Sequence, residues 1–420
     1  MIKKILTYSF GEVLVRGASF LAVLLYSRLI LPHEYGILGF LNSLVSFLPF
    51  ILTFYYLYAY VRFSVEVKEK RLISTYFFMG LVLNIFYFLS ALLIYFLFIQ
   101  KYNIELKYFI LSISSSSMIF LFQILQMYYR SRGLANTYIK FSILYSILGL
   151  TLNFSFLLYF EDNVFAMLFS SSMTSLVVTI VAYRILRSSI YWRLFDVSLV
   201  KKILKYTIPL VPGTIALLVF SQSDKIILIN YITKDELGVY ALAFTLGLSM
   251  SYIGSAFFMS YQPLFYEKIA EKLTLEIEYQ FWKNIAFILS ALFLSFIVIY
   301  IAYYFVDSKY SAGLEYALII ALAYSFITFS QMMELHLTYI KKTLLVSLVY
   351  GVGGMVTIGL LFILIPFYSA KGAAVSLLIS AFIISVLMYL LAQKEMYLNY
   401  NKSVLFGYYV VTLSIGAILL

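Results

Sequence analysis

The 420-residue chain is 63% hydrophobic and only 12% charged, against roughly half apolar and a quarter charged in soluble domains, which excludes a water-soluble globular fold and the soluble enzyme classes. Lys and Arg number 30 against 19 Asp and Glu, a net charge of +11. There is no cysteine, which removes disulfides, thiol catalysis and cysteine metal sites, and two histidines, His33 and His336, are too few for a histidine-rich metal site.

Taken in chain order, solid apolar runs occupy 5–30, 37–60, 73–99, 108–128, 139–160 and 164–186. A second set follows at 206–230, 238–262, 284–306, 314–336, 343–366 and 372–392. Each is long enough to cross a hydrocarbon layer of about 30 Å as a helix, and none alternates as a β-barrel strand would. The expected fold is therefore an all-α polytopic membrane protein with 12 crossings. The uncharged stretch 403–420 is long enough for a thirteenth and also fits an interfacial tail. The expected organisation is an N-terminal six-helix lobe over 1–190, a cytoplasmic linker over 191–205, a C-terminal six-helix lobe over 206–392 and a tail over 393–420.

Most loop cations fall on one side of this arrangement, among them Lys3, Lys4, Lys70, Arg71, Arg130, Arg187, Arg193, Lys201 and Lys202. The other side keeps Lys101, Lys107, Lys234, Lys309 and Lys371. Cytoplasmic loops retain basic residues, so the N terminus is expected in the cytoplasm. The positive charge thereby has a membrane explanation, and no nucleic-acid partner is expected. The first apolar run outlasts the core of a signal peptide and lacks a small-residue cleavage site, so it is expected to remain as the first crossing.

The halves are related by an internal repeat. Ser27–Leu44, SRLILPHEYGILGFLNSL, aligns with Ile229–Leu246, INYITKDELGVYALAFTL, at a constant offset of 202 that matches Glu34 with Glu236 and Gly36 with Gly238. Six crossings per half make both repeats enter from the same side, and in transporters built this way the cargo site lies at the repeat interface near the midplane.

The stretch Tyr206–Leu246 combines a proline-bearing span start, an Asp224-Lys225 pair and an outward turn ending in LGVYALA, with a weaker counterpart at Arg28–Phe40. It resembles the polysaccharide and O-antigen flippases (Wzx type) of the multidrug/oligosaccharidyl-lipid/polysaccharide exporter superfamily. The resemblance implies two six-helix lobes around a central cavity that alternates between inward-open and outward-open states. It implies as cargo an undecaprenyl-pyrophosphate-linked oligosaccharide, carried to the outer leaflet of the bacterial cell membrane for O-antigen or capsule biosynthesis. H+ or Na+ coupling, membrane lipids as surroundings and a polysaccharide polymerase machinery as partner follow from the same resemblance, with no bound cofactor.

Ionisable groups at membrane depth cost about 2.5–3.5 kcal/mol to insert and are functional candidates by default. Glu12 and Arg16 lie four apart on the first span, either as a buried ion pair that fixes packing or as a pyrophosphate site in which Glu12 holds Arg16 until cargo arrives. Arg28, near the outer end of that span, can snorkel to the interface or receive the pyrophosphate. Asp224 and Lys225 are about 100° apart on a helix, so each is expected to seek another partner. With Ser221, Gln222 and Ser223 they form a polar patch expected to line the cavity, with Asp224 as the ion-coupling carboxylate.

Pro209, Pro212 and Gly213 read as a hinge or as an ordinary helix start. Gln123 and Gln126 form a polar stripe on the fourth span, suited to an inward vestibule or to a helix end turning towards water. The serines at 112, 114–117 and 170–172 read as close-packing positions, and His336 as structural. Gly351, Gly353 and Gly354 lack a following Lys-Ser/Thr, so no nucleotide-binding loop is expected.

Three alternatives stand beside the flippase. A multidrug exporter of the same superfamily would favour an acidic, aromatic cavity, and a lipid II flippase usually carries fourteen spans. A membrane-bound polysaccharide polymerase or ligase would need a sizeable outer loop, which the chain lacks.

Overall fold

A computed structural model describes residue 17 and residues 20–419 apart from 55, 65 and 133, and all regular structure among them is helical. Backbone polar groups in hydrocarbon must be satisfied within the segment, and a helix does this for each apolar run. The early helices are α1 (Phe20–Leu29), α2 (Pro32–Leu52), α3 (Glu69–Ile94), α4 (Leu106–Ser131), α5 (Ala135–Tyr159), α6 (Asn163–Leu186) and the short α7 (Val197–Thr207). They are followed by α8 (Val211–Leu228), α9 (Lys234–Gly247), α10 (Ser249–Ala270), α11 (Thr274–Phe305), α12 (Gly313–Tyr339), α13 (Thr343–Glu395) and α14 (Lys402–Leu419).

Differences from the expected runs have local causes. The run 37–60 begins earlier, at Pro32, where proline suits a first helical position and the Glu34 carboxylate accepts the Leu31 N–H at 2.7 Å. It ends earlier too, because Phe54 turns left-handed at φ 54°, and the remainder coils into a 3-10 turn over Tyr56–Ala59 and a single turn at Tyr60–Phe63. The 53 residues of α13 would reach about 80 Å as a straight rod. They break at Ser369, φ 50° and ψ −134°. A Cβ on Gly372 would stand 2.6 Å from the Leu364 carbonyl oxygen, so the second arm folds back along the first and the expected runs 343–366 and 372–392 are the two arms. The 403–420 stretch forms α14, whose 18 residues reach about 27 Å.

The chain divides into two compact units: Met1–Ala22 with Ile37–Ile215, and Val23–Gly36 with Ala216–Leu420. In the first, α4 and α6 close through small polar residues, Ser172 donating to the Leu111 carbonyl at 2.8 Å and Thr179 to the Met118 carbonyl at 2.9 Å. Tyr76 stacks between Tyr56 and Tyr60 at 4.5 and 4.7 Å, in a core that also takes Leu199 and Ile203 of α7. Leu89, Leu93 and Phe96 remain exposed, an apolar exterior suited to lipid tails. In the second unit α12 is buried along almost its whole length. There the Val23–Gly36 segment is held by the Ser27 hydroxyl, which accepts the Asp307 N–H at 3.3 Å, and by Tyr310, which donates to the Ile30 carbonyl at 3.0 Å.

The repeated glycines meet inside the second unit. A Cβ on Gly36 would stand 2.1 Å from the Lys234 carbonyl oxygen, and one on Gly238 would stand 1.8 Å from that of Pro32. Positions 32 and 234 are themselves related by the repeat offset, so the first turns of α2 and α9 make the same contact in both directions. Backbone occupies the space a methyl would need. Gly36→Ala or Gly238→Ala is therefore expected to cost about 3 kcal/mol, the upper end of the overpacking range, and to lower the thermal midpoint in detergent-solubilised protein. Gly359→Ala, with open space around its Cβ, should leave the midpoint unchanged.

Asp196 caps α7, accepting the Ser198 N–H at 2.9 Å, and pairs with Arg71. The Ser198 hydroxyl, reinforced by the Arg71 guanidinium, holds this carboxyl down at about 2. An acid held below its free value of about 3.9 stabilises the fold above that value and loses the contribution as pH falls towards 2. The midpoint difference between the natural protein and Asp196→Asn should thus be full at pH 7 and shrink as pH is lowered from about 4 towards 2. A difference that holds constant to the lowest pH would remove the carboxylate from the account.

Candidate functional site: a neutral polar cavity and a buried ion pair

Within the first unit a cavity of about 420 Å³ opens among α2, α4, α5 and α6. Helical spacing sets its lining. Asn42, Ser46 and Pro49 on α2 and Thr53 just past its end recur every three or four residues, as do Ser112, Ser116, Ile119 and Gln123 on α4, with Ser115 beside them. Tyr145 of α5 and Ser171 of α6 add two more hydroxyls, while Phe50 and Phe120 give apolar wall. Among the described residues the lining combines amides, hydroxyls and rings with the aliphatic Val45, Leu57, Ile119 and Leu168, and includes no Asp, Glu, Lys, Arg or His. Ser116 is held by the Tyr87 hydroxyl at 2.5 Å, and behind the wall Ser117 donates to Asn84 at 2.5 Å, so the serine face of α4 is fixed in position.

The serine clusters therefore do more than pack: Ser112, Ser115, Ser116 and Ser171 face the cavity, while Ser172 bonds across the helix interface. Gln123 lines the cavity as its position on α4 suggests. Gln126 turns away and donates to the Ser142 hydroxyl of α5 at 3.2 Å. The usable signal was the continuous stripe from Ser112 to Gln123 and its counterpart from Asn42 to Thr53, rather than the pair of glutamines.

In the second unit, Asp224 and Lys225 are 3% and 5% exposed. Contrary to the expectation from their 100° separation, they pair with each other, the Lys225 ammonium lying 3.2 and 3.3 Å from the two carboxylate oxygens. The long lysine stem curls back over its own turn. Asp224 also accepts the Tyr240 hydroxyl at 2.7 Å and the Lys225 N–H at 2.8 Å. The ammonium stands 3.4 Å from the centre of the Phe244 ring. Tyr240 and Phe244, one turn apart on α9, are partners that the reading of single charges missed.

The other expected site residues are placed as follows. Gln222 is half-buried on α8. Arg28 is exposed and donates to the Phe305 carbonyl at 3.4 Å, a cation at the C-terminal end of α11. Pro209 sits in the 3-10 turn Ile208–Leu210, with Pro212 and Gly213 in the first turn of α8. Glu12 and Arg16 lie outside the described residues. His336 is buried between the Met333 carbonyl at 3.0 Å and the Tyr400 hydroxyl at 2.8 Å.

The architecture is that of known transporters. A multidrug resistance transporter of the MATE family, MOP superfamily, in an inward-facing conformation is similar over 92% of this chain and 97% of its own, with a TM-score of 0.72 at 13% identity. An outward-facing MATE transporter is similar over 93% and 95%, with a TM-score of 0.57 at 12% identity. A variant of the Vibrio cholerae MATE transporter VcmN is similar over 94% and 95%, with a TM-score of 0.62 at 13% identity. Comparison with curated protein sequences gives no match. The fold thus defines a multi-pass membrane protein of MATE-like, two-lobed architecture. By sequence the chain belongs to the family described as polysaccharide biosynthesis protein, whose pattern matches residues 1–269.

The closed charge cluster carries a stability prediction. Lys225→Met leaves the Asp224 carboxylate buried without a cation and should cost about 3–5 kcal/mol, whereas Tyr240→Phe removes one hydrogen bond to a charged group and should cost about 1.5–3 kcal/mol. The double variant Asp224→Asn with Lys225→Met should regain most of the single-variant loss, read as thermal midpoints of the solubilised protein.

Proposed function

We propose that this protein is a flippase that carries an undecaprenyl-pyrophosphate-linked oligosaccharide from the cytoplasmic to the outer leaflet of the bacterial cell membrane, with its N terminus in the cytoplasm. The observation that carries the reading is the neutral cavity in a member of the polysaccharide biosynthesis family. Sugars offer hydroxyls for hydrogen bonds and apolar ring faces for stacking, and the cavity supplies Asn42, Gln123 and serine hydroxyls beside Tyr145 and Phe120. Its volume falls within the roughly 300–1,000 Å³ of small-ligand sites. The polyprenyl tail can stay in lipid while the head group crosses.

Alternating access, H+ or Na+ coupling and a hinge at Pro209, Pro212 and Gly213 belong to the same proposal. In it Asp224 or Glu12 is the coupling carboxylate, and Arg16, Arg28 or Lys225 meets the pyrophosphate. The second reading is multidrug export, suggested by what the structurally similar transporters are described as doing. A cavity for organic cations would gain from a carboxylate, and none lines it among the described residues.

Deleting the gene in its own host should trap lipid-linked oligosaccharide on the cytoplasmic face and deplete surface polysaccharide, both restored by the gene. Unchanged leaflet distribution and surface glycan, in a host without a second flippase, would favour drug export instead. Asn42→Leu combined with Gln123→Leu removes two hydrogen-bonding side chains, each worth about 1 kcal/mol. That variant should reduce export about thirtyfold at normal membrane abundance.

A further inference from the structure

The segment between α6 and α8 connects two membrane helices, yet its side chains suit neither water nor the hydrocarbon core alone. On α7, Leu199, Val200, Ile203 and Thr207 are buried, and Leu199 and Ile203 join the core of the first unit. At about 100° per residue, Lys201, Lys202 and Lys205 fall on the opposite face, and all three are exposed. Arg187 and Arg193 are exposed beside them. Among the described residues no carboxylate pairs with any of these five cations, while the nearby acid, Asp196, is taken by Arg71.

The same surface exposes apolar groups that water would reject. Trp192 is 67% exposed, Val197 56% and Ile208 49%. The indole does not swing freely: it stacks on Phe195 at 5.5 Å and meets Phe78 edge-on at 4.8 Å. The Asp196 cap and its pairing with Arg71 fix the start of the helix against α3. A rigid shelf results, with unpaired cations and an aromatic anchor side by side at the end of two membrane helices. That combination matches the boundary between acyl chains and head groups, where rings sit at head-group level and lysines reach phosphate.

We propose that Trp192, Val197 and the Lys201, Lys202 and Lys205 face of α7 form a docking surface for anionic phospholipid head groups. The alkyl stems and rings enter the acyl boundary and the ammonium groups take the phosphates. The other source of lipid phosphate, a polyprenyl diphosphate, carries denser charge but would occupy the shelf only in passing. Five separate cations and an extended apolar rim fit a patch of several bilayer lipids better than one head group.

The test uses the full chain with Trp282→Phe, which leaves Trp192 as its only tryptophan, reconstituted with phosphatidylglycerol or phosphatidylcholine brominated on the acyl chains at equal mole fraction. Quenching of Trp192 should be stronger with the brominated phosphatidylglycerol, reflecting local enrichment of about threefold or more. Lys201→Gln, Lys202→Gln and Lys205→Gln together should abolish the preference while quenching by brominated phosphatidylcholine persists, which also shows that the helix still sits at the interface. Equal quenching by the two lipids, a preference that survives the triple substitution, or an indole that neither lipid quenches would overturn the proposal. Loss of the preference on adding a trace of polyprenyl diphosphate would assign the shelf to that head group and equally overturn it.

Discussion

A helix crossing that leaves no room for a side chain governs much of this fold. Where the first turn of α2 meets that of α9, Gly36 faces the Lys234 carbonyl and Gly238 faces the Pro32 carbonyl at distances only backbone can accept. Apolar surface alone cannot drive such a contact in a bilayer, because lipid tails are as apolar as leucine; close backbone packing has to supply the attraction. The contact also explains why the division into units departs from chain order. Val23–Gly36 belongs with Ala216–Leu420, where its glycine meets the matching backbone of α9. The Val23–Gly36 segment therefore pairs with a surface some 200 residues later in the chain, a long-range closure whose cost must be met before its contacts contribute.

The crossing was partly legible in the sequence. The offset that matches Gly36 with Gly238 relates Pro32 to Lys234 as well, and a contact between equivalent positions then repeats itself in both directions. The solid apolar runs were legible because hydrocarbon permits so few alternatives to a helix. Other features were hidden because they depend on what lies opposite. Nothing in the order Asp224-Lys225 reveals that the lysine stem will curl back, since Tyr240 and Phe244 complete the pocket from another helix. Similarly, the serines at 112–117 are small enough to pack or to line a cavity. Only the neighbouring stripe on α2 decides that Ser112, Ser115 and Ser116 do the latter.

Among the described residues, the cavity lining of the first unit carries no charge and the buried ion pair of the second is closed on itself. Asp224 and Lys225 are met by each other and by Tyr240 and Phe244, contacts that offset the desolvation cost of their burial. Among the described residues, the open space in the first unit is lined by uncharged hydrogen-bonding groups interspersed with apolar side chains. Off the cavity, hydroxyls such as those of Ser172 and Thr179 bond to backbone carbonyls of their own and of the neighbouring helix. The polarity of the interior is thus sorted helix face by helix face.

That sorting suits the proposed transport. A carrier has to bind its cargo on one side and release it on the other, so the free energy of any one contact must stay small enough to reverse. Each neutral hydrogen bond contributes about 0.5–1.5 kcal/mol, whereas a charge buried against cargo would hold far more strongly and penalise its own exposure on release. A lining of amides, hydroxyls and rings distributes recognition over many weak contacts, so that a modest shift of α2 against α4 would disengage several at once. Selectivity then comes from the pattern of donors along the Asn42–Thr53 and Ser112–Gln123 stripes, and reversibility from the weakness of each.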